Sequence, residues 1–295
     1  MADSLARRLR YRIEAIAVTA LFGLFGAMRP ERASAIGGAI ARTIGPLLPV
    51  SRRAGSSLAR ALPELGAGER ARIVRRMWDN LGRVAGEYPH VQAIAETPGY
   101  VEIVGAENLD PVMGEGQAAI LFSAHLANWE VFAASAHAYG LGYAQIERAP
   151  NNPLVQQIIR RMRNLPPEEV IEKGRAGARR TVEVLAKGGR LGLLVDQKLN
   201  EGIAVPFFGR PAMTAPALAQ LARRFACPVI PVRIERLDGC RFRVTVYPAM
   251  TVPRSGDAAA DALAFMTAVN ATMESWIRSR PDQWLWLHRR WPEPA

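Results

Sequence analysis

Up to about residue 88 the apolar positions recur at helical spacing, and from 101 onward short apolar runs alternate with helical stretches. Residues 15–28 are an apolar run bounded by Glu14 and Arg29 and preceded by Arg7, Arg8, Arg10 and Arg12. Fourteen residues fall short of the ~20 that a membrane-spanning helix needs. A secretory signal is the rival reading, but no small-x-small cleavage site stands before Arg29-Pro30-Glu31-Arg32. Further apolar stretches at 33–44 and 46–50 predict an uncleaved helical hairpin in the membrane interface, its arginines at headgroup level. The competing reading is an ordinary buried N-terminal helix. From 51 to 88, Ile73, Met77 and Leu81 mark a helical core stripe, and Pro89 and Pro98 bound a connector.

Strands are predicted at 101–104, 118–122, 143–146, 170–171, 191–195, 204–208, 228–234 and 242–246. Helices fall between them at 128–139, 152–162, 176–187 and 216–225, with a last one at 261–279. Asn152-Pro153 reads as an N-cap followed by proline at the first helical position. Thr214 is expected to cap the helix that follows it. Asp238-Gly239 marks a hairpin turn, and the run at 191–195 a central strand. This alternation predicts an α/β fold, a mainly parallel sheet flanked by helices. The expected division is a membrane-associating helical extension over 1–50 and an α/β domain over 51–295.

Composition adds direction. Of 295 residues, 49% are hydrophobic, enough for a large core, and the net charge is +11, mostly from arginine. Such an excess calls for an anionic partner. No dense basic tail and no basic stretch interleaved with aromatics is present, so nucleic acid is not the expected one. Cys227 and Cys240 are too few for a disulfide framework and are read as reduced, in a cytosol-facing protein.

The chemistry concentrates in Ser123-Ala-His125-Leu-Ala-Asn-Trp-Glu130, between a strand and a helix. On one continuous helix His125 and Glu130 would lie roughly 140° apart. They meet only if His125 sits in the loop and Glu130 reaches back from the first helical turn. Glu130 would then hold one imidazole nitrogen and leave the other basic, and the nucleophile could be a substrate hydroxyl. Parallel sheets bind ligands at the carboxyl ends of their strands. The other candidates there are Arg148, Asp196, Gln197 and Arg233. The remaining histidines are weaker: His137 reads as packing, His90 shows no partner, and His288 lies in a C-terminal cluster. The segment 205–208 is either core or a wall for an alkyl chain. Trp284, Trp286 and Trp291 with Arg289 and Arg290 suit either an interfacial anchor or a packed terminus.

The stretch His125-Leu-Ala-Asn-Trp-Glu130 resembles the His-x4-Asp/Glu signature of glycerolipid-type acyltransferases. In its Asn-Trp-Glu form it is similar to the lipid A biosynthesis lauroyl/myristoyl acyltransferases. The same family is resembled at Ala61-Leu-Pro-Glu-Leu65, Asn80-Leu-Gly-Arg83, Arg148 before Asn152-Pro153, and Asp196-Gln197 with Gly202-Ile203. Pro206-Phe-Phe-Gly209 with Thr214, and Gln283-Trp-Leu-Trp-Leu-His288-Arg-Arg290, complete the match, which spans about 10 to 291. One departure is Ala127, where the family commonly has Gly. The resemblance implies a fold like that of the glycerolipid acyltransferases and an enzyme on the cytoplasmic face of the cell inner membrane. Its donor would be an acyl carrier protein thioester, with no other cofactor and no metal. The acceptor would be a hydroxyl of a lipid A precursor, and anionic inner-membrane lipids would be further partners. His125 and Glu130 become the catalytic pair, and Asn128, Arg148, Asp196, Gln197 and Arg233 the substrate-binding residues. Transfer to another membrane glycolipid or a lysophospholipid is the near alternative. A metal-dependent hydrolase built on His125, Glu130 and Asp196 is the distant one.

Overall fold

The structure, a computed structural model, describes residues 5–147, 149–163 and 169–291. Four helices come first: α1 (Leu5–Gly26), α2 (Pro30–Ile44), α3 (Val50–Ala61) and α4 (Ala67–Glu87). A short α5 (Val91–Glu96) leads to β1 (Val101–Val104) and the single turn α6 (Asp110–Met113). Strands and helices then alternate: β2 (Ala119–Ser123), α7 (Trp129–Ala138), β3 (Ala144–Glu147), α8 (Pro153–Arg163), β4 (Val170–Glu172), α9 (Arg175–Ala186) and β5 (Arg190–Leu194). A hairpin of β6 (Ile203–Phe207) and β7 (Arg210–Thr214) follows, then α10 (Ala217–Phe225), β8 (Val229–Asp238), β9 (Arg241–Val246) and α11 (Ala258–Ser279).

The main sheet has the order β1-β9-β8-β2-β5-β3-β4, and every pair is parallel except β8 with β9. It is thus the mainly parallel, helix-flanked sheet expected from the alternation. β2, buried along its whole length, occupies the centre. The run expected to be central, β5, is its neighbour. β6 and β7 form a separate antiparallel pair.

Both expected N-terminal helices are present, and they differ in how they pack. α2 lies against α4 so closely that a Cβ on Gly82 would stand 2.1 Å from the Gly37 carbonyl oxygen. Only hydrogen side chains permit that approach. α1 is held at fewer points: Phe22 stacks on Tyr88, and Asn152 donates to the Tyr11 carbonyl and to Glu14. Its remaining surface carries Leu5, Leu9, Ile13, Ile16 and Leu24, all exposed. Ile36, Ile40 and Ile44 form a similar exposed stripe on α2. Among the described residues no single helix is long and apolar enough to cross a membrane.

Two expectations, for Thr214 and His137, are corrected here, and one open alternative is decided. Thr214 caps no helix: it ends β7, where its hydroxyl donates to the Ala212 carbonyl and accepts from Arg290. Of the two readings of the C-terminal tryptophans, the packed terminus holds, because Trp284, Trp286, Trp291 and Arg290 are all buried. They pack on Phe207 and Phe208, so the 205–208 segment belongs to the same core. His137 is no packing residue either; it is half-exposed and sits 3.9 Å from Glu169. His90, which showed no partner in sequence, bonds the Phe25 carbonyl oxygen at 2.9 Å. Asn152 caps α8 as expected, accepting from the Leu154 N–H. Both cysteines are free and buried.

Candidate active site

Adjacent parallel strands deliver the two central groups. β2 and β5 pair in register, Ser123 opposite Leu194. His125 follows Ser123 by two residues and Asp196 follows Leu194 by two, so the chain sets them side by side at the carboxyl edge of the sheet. His125 Nδ1 is 2.8 Å from Asp196 Oδ1. The backbone N–H of His125 donates to Asp196 Oδ2 at 3.0 Å, and the Trp284 indole donates to the same oxygen at 2.8 Å. Asp196 is fully buried. Burial alone would raise its pKa, but the charge and hydrogen bond of His125, with His288 and Trp284 behind, hold it below the usual carboxylate range.

This overturns the expected contact between His125 and Glu130. The Glu130 carboxylate is taken by Arg163, at 2.7 Å from each oxygen to a guanidinium nitrogen, and by the Trp129 indole. Arg163 also pairs with Glu147 and so bridges α7, β3 and α8. An acidic residue five positions from a histidine finds a nearer cation once α8 folds back, and the buried Asp196 from the next strand takes the imidazole.

The His125 ring is enclosed on several sides. Trp129 and His288 meet it edge-on, with centroids 5.1 and 5.0 Å away. The Gln197 amide nitrogen stands 3.2 Å from both His125 Nε2 and His288 Nε2. An amide donor there matches a lone pair on Nε2, which places the His125 proton on Nδ1, facing Asp196. Burial works against a charged His125. The Asp196 charge and hydrogen bond, and Glu130 further off, outweigh it and raise the pKa above the ordinary imidazole value. His288 goes the other way, to about 4, because burial and the neighbouring His125 outweigh the pull of Asp196. His125 is therefore the basic imidazole and His288 the neutral one.

The loop carrying His125 is clamped through its backbone. Ala127 sits in the left-handed region at φ 47°. Its N–H donates to the Gln283 carbonyl, and its own carbonyl accepts from Asn80. The His125 carbonyl accepts from the Leu285 N–H. A left-handed alanine costs about 1–2 kcal/mol, which these contacts offset. Ala127→Gly is expected to shift stability by less than about 1 kcal/mol, because relief of strain is set against a lost buried methyl. Ala127→Val should cost roughly 2 kcal/mol or more, since a β-branched residue resists this φ and the site is fully buried. Chemical denaturation of the two variants measures the difference.

The other expected binding residues separate. Gln197 lies in the site. Asn128 is fully buried and serves structure: its oxygen caps α7 through the Glu130 N–H, and its amide donates to Glu87. Asp196 holds His125 instead of substrate. Arg233 points to the end of α11, bonded to Glu235 and Ser279. Arg148 lies outside the described residues. His288, Trp129, Trp284 and Arg163 were not singled out as site residues from sequence. For Trp284 and His288 the signal was their place in the Gln283–His288 motif. The backbone N–H groups of His125, Leu126, Ala127 and Glu130 are all engaged. That of Trp129, in the first turn of α7 on a partly exposed residue, has no acceptor among the described residues.

A buried carboxylate–imidazole pair whose Nε2 carries a lone pair and meets only the Gln197 amide, at the carboxyl edge of a parallel sheet, is an arrangement suited to base-assisted group transfer. Over residues 3–293 the chain matches the family described as bacterial lipid A biosynthesis acyltransferase, and it belongs to that family. It is an acyltransferase that acts on lipid. No curated protein matches it. Among solved structures it is similar to the 1-acyl-sn-glycerophosphate (LPA) acyltransferase PlsC from Thermotoga maritima. That similarity has 14% identity and a TM-score of 0.40, over 81% of this chain and 98% of that one.

Proposed function

We propose that this protein moves a fatty acyl chain from an acyl carrier protein thioester to a hydroxyl of a lipid A precursor, at the cytoplasmic face of the inner membrane. The observation that carries the chemistry is the His125–Asp196 pair, whose Nε2 faces a displaceable side chain, Gln197. The acceptor hydroxyl replaces the Gln197 amide at Nε2. As its oxygen attacks the thioester carbonyl, Nε2 takes its proton. The oxyanion that forms is met by the N–H of Trp129, at the start of α7. Collapse expels the thiolate, which recovers the proton from the imidazolium. Asp196 stays ionised throughout and stabilises the charged ring. The hydroxyl attacks directly, so no acyl-enzyme and no further cofactor is required.

The hydrolase alternative loses its ligands to other roles. Asp196 accepts from His125 and Trp284, and Glu130 is held by Arg163. The exposed apolar stripes of α1 and α2, next to Arg7, Arg8, Arg10 and Arg12, support membrane contact by a helical hairpin lying in the interface. The net charge of +11 suits both an acidic carrier protein and anionic lipid.

Purified protein incubated with radiolabelled acyl carrier protein should acylate a lipid A precursor, seen by mass spectrometry as one added acyl chain. His125→Ala should lower that product by at least ~100-fold. Acylation of a lysophospholipid in preference to the disaccharide lipid would move the assignment to the other acceptor class.

A further inference from the structure

Between α2 and α4, away from His125, lies an open cleft of about 420 Å³ lined by Arg42, Arg72, Arg75, Arg76 and Asp79. Asp79 is already shared: Arg42 approaches one oxygen at 3.2 Å and Arg83 the other at 2.6 Å. Arg72 has Glu69 at 3.9 Å, with both side chains largely exposed, a weak pair. Arg75 and Arg76 have no carboxylate within ion-pair distance among the described residues. The cleft therefore holds more positive charge than its own carboxylates balance. Arg72 stands three and four residues before Arg75 and Arg76 on one helix, a like-charge spacing that weakens a helix unless an anion relieves it.

We propose that this cleft binds the phosphate of a lipid headgroup. Guanidinium forks match phosphate oxygens two at a time, and a concave wall of several forks suits a compact anion better than the face of an acidic protein. Two exposed leucines favour a lipid over a soluble phosphate. Leu47 and Leu48 follow Arg42 by five and six residues, in the turn just beyond α2, and Leu47 is 82% exposed. The cleft also connects to the site. Arg76 lies one turn before Asn80 on α4, about 6 Å along the axis, and Asn80 holds the Ala127 carbonyl. A headgroup in the cleft is thus bound to the helix that positions the His125 loop. The proposal rests on the lipid-acceptor reading only for the choice of lipid, and its test needs no acyl donor.

Flotation of the full chain with vesicles measures it. Three vesicle types are used: phosphatidylcholine alone, and phosphatidylcholine with either phosphatidylglycerol or a phosphorylated glucosamine-disaccharide lipid at matched surface charge. The variant Arg72→Gln/Arg75→Gln/Arg76→Gln is compared with Lys173→Gln/Arg175→Gln/Arg179→Gln, which removes equal charge from around the start of α9. The cleft variant is expected to lose about tenfold or more in partition to the two anionic vesicle types, and the control far less. Loss on both anionic lipids identifies bilayer phosphate as the ligand, and loss on the disaccharide lipid alone identifies the acceptor's own phosphate. Equal losses in the two variants, or none in either, would overturn the proposal. If the triple variant melts early, Arg76→Gln alone is read for the same sign. His125→Ala should bind like the unmodified protein, so a failed transfer assay and a failed binding assay remain separate results.

Discussion

Asp196→Asn is expected to lower acyl transfer by about 10²–10⁴-fold, close to the loss from His125→Ala. The reason lies in which atoms face each other. In the intact protein a carboxylate accepts from His125 Nδ1, from the His125 N–H and from the Trp284 indole. An asparagine presents one acceptor and one donor to the same groups. Its amide donating to Nδ1 would put the imidazole proton on Nε2, the atom that must be bare to take the hydroxyl proton. The pH profile separates this effect from simple misfolding. Asp196 raises the His125 pKa, so the ascending limb of kcat/KM in the unmodified protein should lie above the ordinary imidazole value. With the Asp196 charge gone, whatever activity remains should show that limb displaced to lower pH. Glu130→Gln should also lower transfer, by loosening Arg163, but should move the limb much less, since Glu130 is the smallest of the influences on His125. If Glu130→Gln moved the limb and Asp196→Asn did not, the orienting role would return to Glu130.

Which carboxylate meets the histidine shows what the sequence could and could not convey. His125 and Asp196 were both recognisable as polar residues closing buried strands. Their meeting depends on β2 and β5 being neighbours in register, and strand order is a property of the whole sheet, invisible in either segment. Glu130 was favoured because it is near in sequence, and nearness in sequence carried no information about Arg163, 33 residues further on. The elements themselves were largely legible, because β2, β5 and β8 are dense apolar runs punctuated by glycine, proline and polar residues. Thr214 misled for a local reason: a threonine before an apolar helical stretch looks like a cap, whereas here its hydroxyl is bound by Arg290 from the far end of the chain. The tryptophans left two readings open for a similar one. Aromatic residues beside arginines have the composition of a membrane belt, and only the fold shows Arg290 lying over the ring of Phe207 in the core.

Glu87→Ala should be the most destabilising single change outside the catalytic pair, by roughly 3–5 kcal/mol. Nothing in its sequence neighbourhood marked Glu87, the last residue of α4, yet it is fully buried and three other elements converge on it. Arg236 of β8 grips both of its oxygens, Ser34 of α2 donates at 2.6 Å, and Asn128, the cap of α7, donates at 2.8 Å. Arg236 is in turn bonded to Asn80 at 2.9 Å and lies over the Phe242 ring. Truncating Glu87 leaves a buried guanidinium without its counter-charge, and the desolvation penalty then has no compensation. At roughly 2–4 °C per kcal/mol, or somewhat less for a chain of this size, the melting temperature should fall by about 10 °C. Removing both charges, as in Glu87→Leu/Arg236→Met, should cost less than Glu87→Ala alone, because the unpaired cation is then gone as well. The network also reaches the site: Asn80 and Asn128 flank the His125 loop, so Glu87→Ala should lose transfer at temperatures where it is still folded. Thermal melts of the single and double variants, with transfer assayed well below both midpoints, test the two claims together. A single variant that melts within a degree or two of the unmodified protein would show that α2, α4, α7 and β8 are held together by their apolar contacts alone.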